Sequence, residues 1–308
     1  MPAKRALEFS EVKNFSGVWQ FYIRRELEAM EHQIVFERGA LPNDTPKEQE
    51  DYFKSRLIPR LREMDVDHVL GFSRYFTRVT DHCVHMLQDS FKGAVTQIHD
   101  GPLPGVPCDQ VFSIRDDEGH RGHTHIGWAA DPEILISKER GPGLRILIDH
   151  PHYHDGMPDF TNTITEQAIE YKRRARYPVQ IRRFCDGGAE EVTSYAPVKS
   201  FRRVHIPFEN FVEEYSRADM FLPTHIESLG LSVLEAAMCG ALIVSHVDFI
   251  RADRIATVRS VIYQGNDKVP FDYAAKLTEP VISREVAMQQ SWRAVTERIV
   301  GYLQAFRK

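Results

Sequence analysis

Residues 218–240 carry the strongest structural signal in the chain and read Ala-Asp-Met-Phe-Leu-Pro-Thr-His-Ile-Glu-Ser-Leu-Gly-Leu-Ser-Val-Leu-Glu-Ala-Ala-Met-Cys-Gly. The apolar start predicts a short buried strand that ends at Pro223, and the apolar spacing from Leu231 onward predicts a helix. The loop between them contains Glu227 and Gly230. A strand that passes through such a loop into a helix is the repeating unit of doubly wound α/β domains.

This unit places an anion-binding loop at the carboxyl edge of a sheet. The amides of the loop and the positive end of the helix dipole face that edge. Gly230 lets the backbone approach a ligand closely, while Glu227 and Glu235 can aim carboxylates at the same pocket. A diphosphate flanked by sugar and ribose hydroxyls therefore suits the loop. The alternative is that the two glutamates cap the helix and face solvent.

The rest of the chain alternates between strand and helix patterns, which predicts parallel sheets covered on both faces. In the first half we predict strands at 5–9, 33–36, 67–71, 93–99 and 110–113 and helices at 18–30, 51–64 and 78–88. In the second half we predict strands at 144–149, 179–184, 203–206, 220–222 and 242–245 and helices at 164–174, 208–217 and 231–239. Residues 283–307 predict one long amphipathic helix.

Length and composition indicate two globular domains. A chain of 308 residues, with 42% hydrophobic and 27% charged residues, is long for one core and has no disordered or fibrous bias. The Gly- and Pro-bearing connector near 127–142 marks the boundary. We predict an N-terminal domain at 1–130, a C-terminal domain at 131–280 and a closing helix at 281–308 that packs back on the N-terminal domain.

Charge and cysteine usage argue against several functional classes. The net charge of -5 includes no long basic run, so we predict no nucleic-acid partner. No stretch approaches the roughly 18 apolar residues of a membrane span, and residues 1–11 lack the apolar core of a secretion signal, so we predict a cytoplasmic protein. Four cysteines without a CxxC spacing predict reduced thiols; they are Cys83, Cys108, Cys185 and Cys239.

Two glutamates with seven residues between them, within Pro-Thr-His-Ile-Glu-Ser-Leu-Gly-Leu and Leu-Glu-Ala-Ala-Met-Cys-Gly, resemble the signature of retaining GT-B glycosyltransferases, the group 1 family. The resemblance implies a GT-B fold: two Rossmann-like doubly wound domains facing a central cleft, with a C-terminal crossing helix. Ser16-Gly17-Val18 is similar to the opening loop and helix of that family, although Glu31 replaces an expected glycine. Asp186-Gly187-Gly188 is similar to a turn of its donor domain.

The resemblance also implies a set of site residues. It makes His99 and Glu227 catalytic, with His99 facing the donor sugar from the N-terminal domain. It gives Glu235 the ribose of the donor and places the amides of 228–231 near the phosphates. The donor-binding residues implied in this way are Ser228, Leu229, Gly230, Leu231, Glu235, Gly17 and His205.

The implied reaction is transfer of a sugar from a UDP-, GDP- or ADP-sugar to an acceptor hydroxyl, with retention of anomeric configuration and without a metal or other cofactor. The acceptor is a saccharide, a lipid-linked sugar or a small molecule, and polysaccharide or glycoconjugate synthesis is the usual setting. Contact with a membrane surface is left open by analogy alone. Two alternatives stay open: a catalytically silent protein that binds a nucleotide-sugar or a partner, and a nucleotide-sugar 2-epimerase. No Gly-x-Gly-x-x-Gly follows a first strand, which argues against a nicotinamide enzyme.

The match departs from the family where the donor diphosphate should be neutralised. The family carries an Arg and then a Lys after the first donor-domain strand, whereas Asp149 and His150 follow that strand here. Protonated histidine could substitute, as could a cation from Lys172, Arg173 or Arg174. Histidines also cluster here and before the domain boundary, at His150, His152, His154, His120, His123 and His125. We considered zinc at these clusters and predict no metal, since zinc sites usually add Cys or carboxylate ligands.

Overall fold

The structure, a computed structural model, describes residues 15–32, 45–72, 79–99, 107–114, 124–150, 160–185, 188–192, 208–226, 230–250, 256–264 and 268–306. The chain divides into two compact units. Unit 1 comprises Met1–Gly127 and Trp292–Lys308, and unit 2 comprises Trp128–Ser291. The first division falls within the Gly- and Pro-bearing connector.

Unit 1 is an α/β domain whose described strands are all parallel. Its elements up to Gly127 are α1 (Phe15–Ala29), α2 (Pro46–Tyr52), a π-helical turn (Phe53–Leu57), α3 (Ile58–Glu63), β1 (Val69–Phe72), α4 (Asp81–Ser90), β2 (Val95–His99), β3 (Gln110–Ser113) and β4 (Thr124–His125). The strands lie in the order β1-β2-β3-β4. Strand β2 lies between β1 and β3, and every residue of β2 is buried. Its last residue, His99, pairs with Ser113 at the carboxyl edge of the sheet.

The core of unit 1 on one face of this sheet comes from the helices that precede β1 and β2. Phe53 and Leu57 of the π-helical turn pack with Cys83, Val84 and Val95 in one buried cluster. Thr45 starts the helical run with a capping box, since its side chain accepts the amide of Glu48 while Glu48 accepts the amide of Thr45. Helix position is therefore specified both by a local cap and by the apolar stripe.

Glu31, which stands where the resembling family has glycine, adopts a left-handed backbone with φ 65°. It ends α1, where the amide of His32 bonds to the carbonyl of Leu27 at 3.0 Å. Glycine is favoured at such a helix end because it has no Cβ to clash. Glu31 is thus a strained residue at the end of α1.

Unit 2 is a second α/β domain. Its elements are β5 (Leu144–Ile148), α5 (Thr161–Arg174), β6 (Val179–Cys185), β7 (Gly188–Glu191), α6 (Phe208–Arg217), β8 (Met220–Leu222), α7 (Leu231–Met238), β9 (Leu242–His246), β10 (Ser260–Tyr263), α8 (Phe271–Ala274), a 3₁₀ turn (Ala275–Leu277), α9 (Pro280–Ala287) and a 3₁₀ turn (Met288–Gln290). The six strands that the structure describes in this unit lie in the order β10-β9-β8-β5-β6-β7. All are parallel except β7, which is antiparallel to β6.

This strand order creates a topological switch point between β5 and β8. The chain leaves β5 toward β6 and β7, then returns to the other side of β5 for β8, β9 and β10. Connections from β5 and β8 therefore depart in opposite directions, which opens a crevice outside their carboxyl ends. Ligands of open α/β sheets bind in this crevice. The predicted class of two α/β domains with Rossmann-like parallel sheets is confirmed.

Both faces of the central strands of unit 2 are covered, as a parallel sheet requires. On one face, Leu144, Ile146 and Ile148 of β5 pack with residues of α5 and α8. On the other, Phe184 of β6 contacts Tyr215 of α6 at a ring-centroid distance of 5.6 Å. The core thus holds the strand ends in fixed positions.

The prediction of one long C-terminal helix over residues 283–307 is wrong. The segment forms α9, the 3₁₀ turn and then α10 (Trp292–Ala305), with extended backbone at Ser291. Ser291 forms a parallel bridge with Ala130, whose amide bonds to the carbonyl of Gln290 at 3.0 Å. This pairing breaks the helix, and α10 then belongs to unit 1, where Trp292 stacks on Tyr22 of α1 at 4.9 Å.

Most other predicted elements lie within one to three residues of the observed ones, and α6, β3 and β8 have the predicted bounds. The predicted strands at 5–9, 33–36 and 203–206 lie outside the described residues, as do the first two residues of the predicted turn at 186–188. The third residue of that turn, Gly188, begins β7. Within the described part of the chain, no helix is long and apolar enough to cross a membrane. Cysteines are free thiols at all four positions.

Arg284 of α9 ties three segments of unit 2 together. Its guanidinium donates to the carbonyl oxygens of Leu135, Met238 and Pro132, the last two at 2.6 Å. A planar guanidinium can satisfy several carbonyls at once because its donors are fixed in one plane. The interaction joins α9 to the end of α7 and to the segment that leads into β5.

We predict that Arg284→Ala lowers the free energy of unfolding of unit 2 by about 2–4 kcal/mol, because bonds from a charged donor are lost and buried carbonyls lose their partner. Urea unfolding followed by tryptophan fluorescence measures the change. Arg217→Ala is the matched control, since it removes an exposed pair with Glu213 four residues earlier and should cost about 0.5 kcal/mol or less. Equal losses in the two variants would contradict the assignment.

Candidate functional site

A buried carboxylate lies at the switch point of unit 2. Asp149 follows directly after β5, and its side chain is 1% exposed. Its amide donates to the carbonyl of Leu222 at 3.0 Å, which continues the ladder between β5 and β8. One carboxylate oxygen, Oδ2, accepts the hydroxyl of Ser232 from α7 at 3.1 Å. A single residue thus links the ends of two strands to the helix that follows the second.

Histidines surround this carboxylate. His150 contacts the other oxygen of Asp149, Oδ1, twice: through its amide and through Nδ1, each at 2.8 Å. The hydroxyl of Thr224 donates to the carbonyl of His150 at 3.0 Å and so holds the β8 end against the β5 end. His225 is 2% exposed, and its ring lies 5.6 Å from the ring of His150.

Helix α7 begins at the same place because Gly230 turns the chain into it. Gly230 has a left-handed backbone with φ 65°, a conformation that favours glycine. Leu231 then opens the helix, and its first turn carries Ser232. Glu235 follows one turn later and is half-buried. Ser232 and Glu235 are three residues apart and therefore share one face of α7.

The two carboxyl groups of the site have opposite pKa shifts. Burial alone would raise the pKa of Asp149, but the positive charge and hydrogen bonds of His150, together with His225, outweigh it and lower the pKa. Burial raises the pKa of Glu235 to about 8, with a further contribution from the Asp149 carboxylate. Near neutral pH, Asp149 is therefore ionised while Glu235 keeps its proton.

The structure brings together only part of the predicted donor-binding set. Gly230, Leu231 and Glu235 lie together at the start of α7 in unit 2. The remaining predicted residues of this half of the chain lie outside the described residues; they are Glu227, Ser228, Leu229 and His205.

The predicted residues of the first half lie in unit 1. His99 ends β2 and is 3% exposed, in the position that the strand prediction gives it. Gly17 lies in the first turn of α1. Their predicted roles stay predictions.

Sequence reasoning missed Asp149, Thr224, His225 and Ser232 as parts of the site. In the sequence, Asp149 stands out only because it follows the strand after which the resembling family carries a cation. Its position directly after the strand is visible in the sequence, and a carboxylate at such a strand end is a signal for a polar site. The contact with Ser232 spans 83 positions, so no local pattern could predict it.

The histidine clusters considered for zinc are described only in part. Among the described residues, no group of three or more His, Cys, Asp or Glu is placed to hold a metal ion. His152, His154, His120 and His123 lie outside those residues. The absence of a metal site stays a prediction.

Comparison with known proteins supports the fold. No protein-family model matches the chain, and no curated protein matches its sequence. Its structure is similar to that of a glycosyltransferase from Rickettsia africae ESF-5, with 9% identity and a TM-score of 0.55 over 91% of this chain and 86% of that one. It is also similar to a glycosyltransferase involved in avilamycin A biosynthesis, with 14% identity and a TM-score of 0.51 over 96% of this chain and 90% of that one. At these identities the likeness shows a shared fold.

We predict that Glu235→Gln changes how stability depends on pH. The folded-state pKa of about 8 lies above the ordinary value of 4.5. The native protein therefore holds a proton that the unfolded chain releases. Its stabilising effect is complete below about pH 4.5 and is lost as the pH rises through about 8. Glutamine cannot ionise, so the variant should gain stability relative to the original protein between pH 5 and pH 8.5.

Urea unfolding at several pH values tests this prediction. Glu285→Gln, at an exposed position of α9, is the matched control and should show a constant difference from the original protein across the range. A constant difference for Glu235→Gln as well would show that Glu235 is ionised at neutral pH.

Proposed function

We propose that the protein is a glycosyltransferase that moves a sugar from a nucleotide-sugar to an acceptor hydroxyl with retention of anomeric configuration. The observation that carries the proposal is the polar cluster at the switch point, where Asp149, Ser232 and Glu235 meet beside the glycine turn that opens α7. Hydroxyl-rich, anionic ligands match this combination of carboxyl groups and a helix start. The fold shared with two glycosyltransferases supports the same reading.

In this proposal, Glu235 binds the ribose of the donor. A protonated carboxyl can both donate to and accept from hydroxyl groups, and it adds no negative charge near a diphosphate. The loop that ends at Gly230 leads into the start of α7, whose amides lie where the helix dipole is positive. Ser228, Leu229, Gly230 and Leu231 stay the predicted phosphate contacts, with Glu227 and His99 as the predicted catalytic residues.

The chemistry assigned to the site is positioning and electrostatic stabilisation. The bond between the anomeric carbon and a phosphate oxygen breaks with its electron pair on that oxygen, and the acceptor oxygen bonds to the same face of the carbon. The acceptor proton passes to the departing phosphate, so the protein need supply no covalent intermediate. Oriented hydrogen bonds at developing charge are sufficient for large rate increases. UDP-, GDP- and ADP-sugars are the proposed donors.

A silent nucleotide-sugar-binding protein is the second candidate, and Asp149 is the observation that favours it. An ionised carboxylate stands where an anionic leaving group would need a cation. Binding without turnover would be the result. Transfer or hydrolysis of the donor, measured as release of nucleoside diphosphate, separates the two candidates.

Thermal-shift measurements with UDP, GDP, ADP, CMP and dTDP, and with their common sugars, test the proposal. A ligand that binds only the folded state raises the melting temperature. We expect one nucleotide to give a clear shift and Glu235→Ala to weaken binding of its sugar by about tenfold or more, through loss of a ribose hydrogen bond. Glu285→Ala should leave the affinity unchanged. No shift with any nucleotide would overturn the proposed function.

The role assigned to His99 has its own test. We predict that His99→Asn lowers kcat by about 100-fold or more while it changes donor affinity by less than about threefold, since a group that acts on the reacting sugar affects the transition state more than the ground state. Steady-state kinetics and donor titration measure the two effects. Circular dichroism checks that the buried site still folds. Unchanged turnover would return His99 to a structural role.

A further inference from the structure

We propose that His150, held by the buried carboxylate of Asp149, is the cation that binds the donor diphosphate and stabilises it as it leaves. This inference rests on the proposed function. Asp149 acts as a positioning residue, because it fixes the ring of His150 and favours its positive charge.

The geometry determines which nitrogen of His150 faces the ligand. Nδ1 lies 2.8 Å from Oδ1 of Asp149, and the backbone amide of His150 bonds to the same oxygen. An ionised carboxylate only accepts hydrogen bonds, so Nδ1 must carry a proton. In neutral imidazole Nε2 is then an acceptor and repels phosphate oxygens. In the imidazolium form Nε2 also carries a proton and can donate to them.

Asp149 is buried, whereas His150 is partly exposed, as a histidine that binds a ligand must be. The Asp149 side chain is 1% exposed, whereas that of His150 is 29% exposed. A buried carboxylate is costly without an opposing charge, so a nearby cation is strongly favoured. The anion is thus held inside the protein, while part of the His150 side chain is accessible.

Strand β6, next to β5, carries two arginines near its end. One is paired with an acidic residue, and the other lies on the opposite face of the sheet from Asp149. Arg182 forms an ion pair with Glu214 of α6 at 2.5 Å. Arg183 pairs in register with Ile148. Side chains alternate between faces along a strand, so Arg183 lies on the face of Ile148 and Asp149 lies on the opposite one.

The surroundings of His150 allow a positive charge. Its ring contacts Phe211 of α6 at 6.4 Å and His225 from the end of β8 at 5.6 Å. Asp149 supplies the favourable charge, and Glu235 of α7 is the other carboxyl group of the site. Burial raises the pKa of Glu235 to about 8, so below that pH Glu235 does not add a second negative charge beside the phosphates.

In the transfer step, the bond between the anomeric carbon and the β-phosphate oxygen breaks and leaves its electron pair on that oxygen. The Nε2–H of His150 donates a hydrogen bond to the diphosphate and keeps its proton. The acceptor hydroxyl forms the new bond to carbon, and its proton goes to the released diphosphate. A charge-assisted hydrogen bond is about twice as strong as a neutral one, which makes the imidazolium the active form.

The test measures affinity for an intact nucleotide-sugar by calorimetry between pH 5.5 and pH 7.5, a range that stays below the pKa of about 8 to which burial raises Glu235. The probe is UDP-glucose, or GDP-mannose or ADP-glucose if the thermal-shift panel selects that nucleotide; none of these has a phosphate group that titrates in this range. Imidazole loses its proton within the range. We expect affinity to fall about tenfold or more from low to high pH, and we expect His150→Gln to bind weakly at all pH values with a flat profile.

Further variants separate His150 from its neighbours. Asp149→Asn should move the fall in affinity to lower pH, because the imidazolium loses its opposing charge. Glu235→Gln should retain a falling profile. His82→Gln, which removes another histidine beside an acid, Glu50 at 3.5 Å, is the matched control and should bind like the original protein.

The outcomes distinguish this inference from the proposed function. A flat profile in His150→Gln, with the fall retained in His225→Gln and Glu235→Gln, supports it. If the donor binds but His150→Gln keeps the original affinity and profile, or if the fall is lost in His225→Gln or Glu235→Gln instead, His150 is not the cation and the proposed function stands. If no nucleotide-sugar binds at any pH, both fail.

Discussion

The buried charge of Asp149 is the constraint on which the switch point of unit 2 depends. An ionised carboxylate that is shielded from water must have hydrogen-bond partners. Here they come from the adjacent residue His150 and from Ser232 of α7. Because these partners belong to different elements, satisfying the carboxylate fixes the distance between the end of β5 and the start of α7. Gly230, which opens α7, is positioned by the same requirement.

The negative charge of Asp149 also affects the protonation of Glu235. Asp149 contributes to the raised pKa of Glu235, while His150 and His225 contribute to the lowered pKa of Asp149. Two carboxyl groups at one site thus have different protonation near neutral pH, which is how a single pocket supplies both a fixed acceptor and a group able to donate. Two ionised carboxylates would repel an anionic ligand. Keeping one proton on Glu235 reduces that repulsion without removing a hydrogen-bonding group.

Sequence patterns predict the local elements of this site well, because strand and helix periods are properties of neighbouring residues. The bounds of β8 and the first residue of α7 follow from apolar spacing around Pro223 and Gly230. Non-local pairings leave no such pattern. The helix break at Ser291 depends on a bridge to Ala130, and the role of Asp149 depends on Ser232. The burial of Asp149 and its contact with Ser232 therefore could not be predicted from the sequence.

The shared fold indicates where a ligand can bind, but it does not determine which charged groups contact that ligand. Strand order alone creates the crevice between β5 and β8, and similarity at 9% and 14% identity shows that very different residues preserve the fold. The charge that the crevice offers depends instead on the residues after β5. An arginine there would stay cationic at any physiological pH, whereas a histidine bound to Asp149 is cationic only when it holds a second proton. Under the proposed function, a leaving group stabilised in this way would make transfer sensitive to pH. That sensitivity would follow from the Asp149–His150 pair and not from the fold.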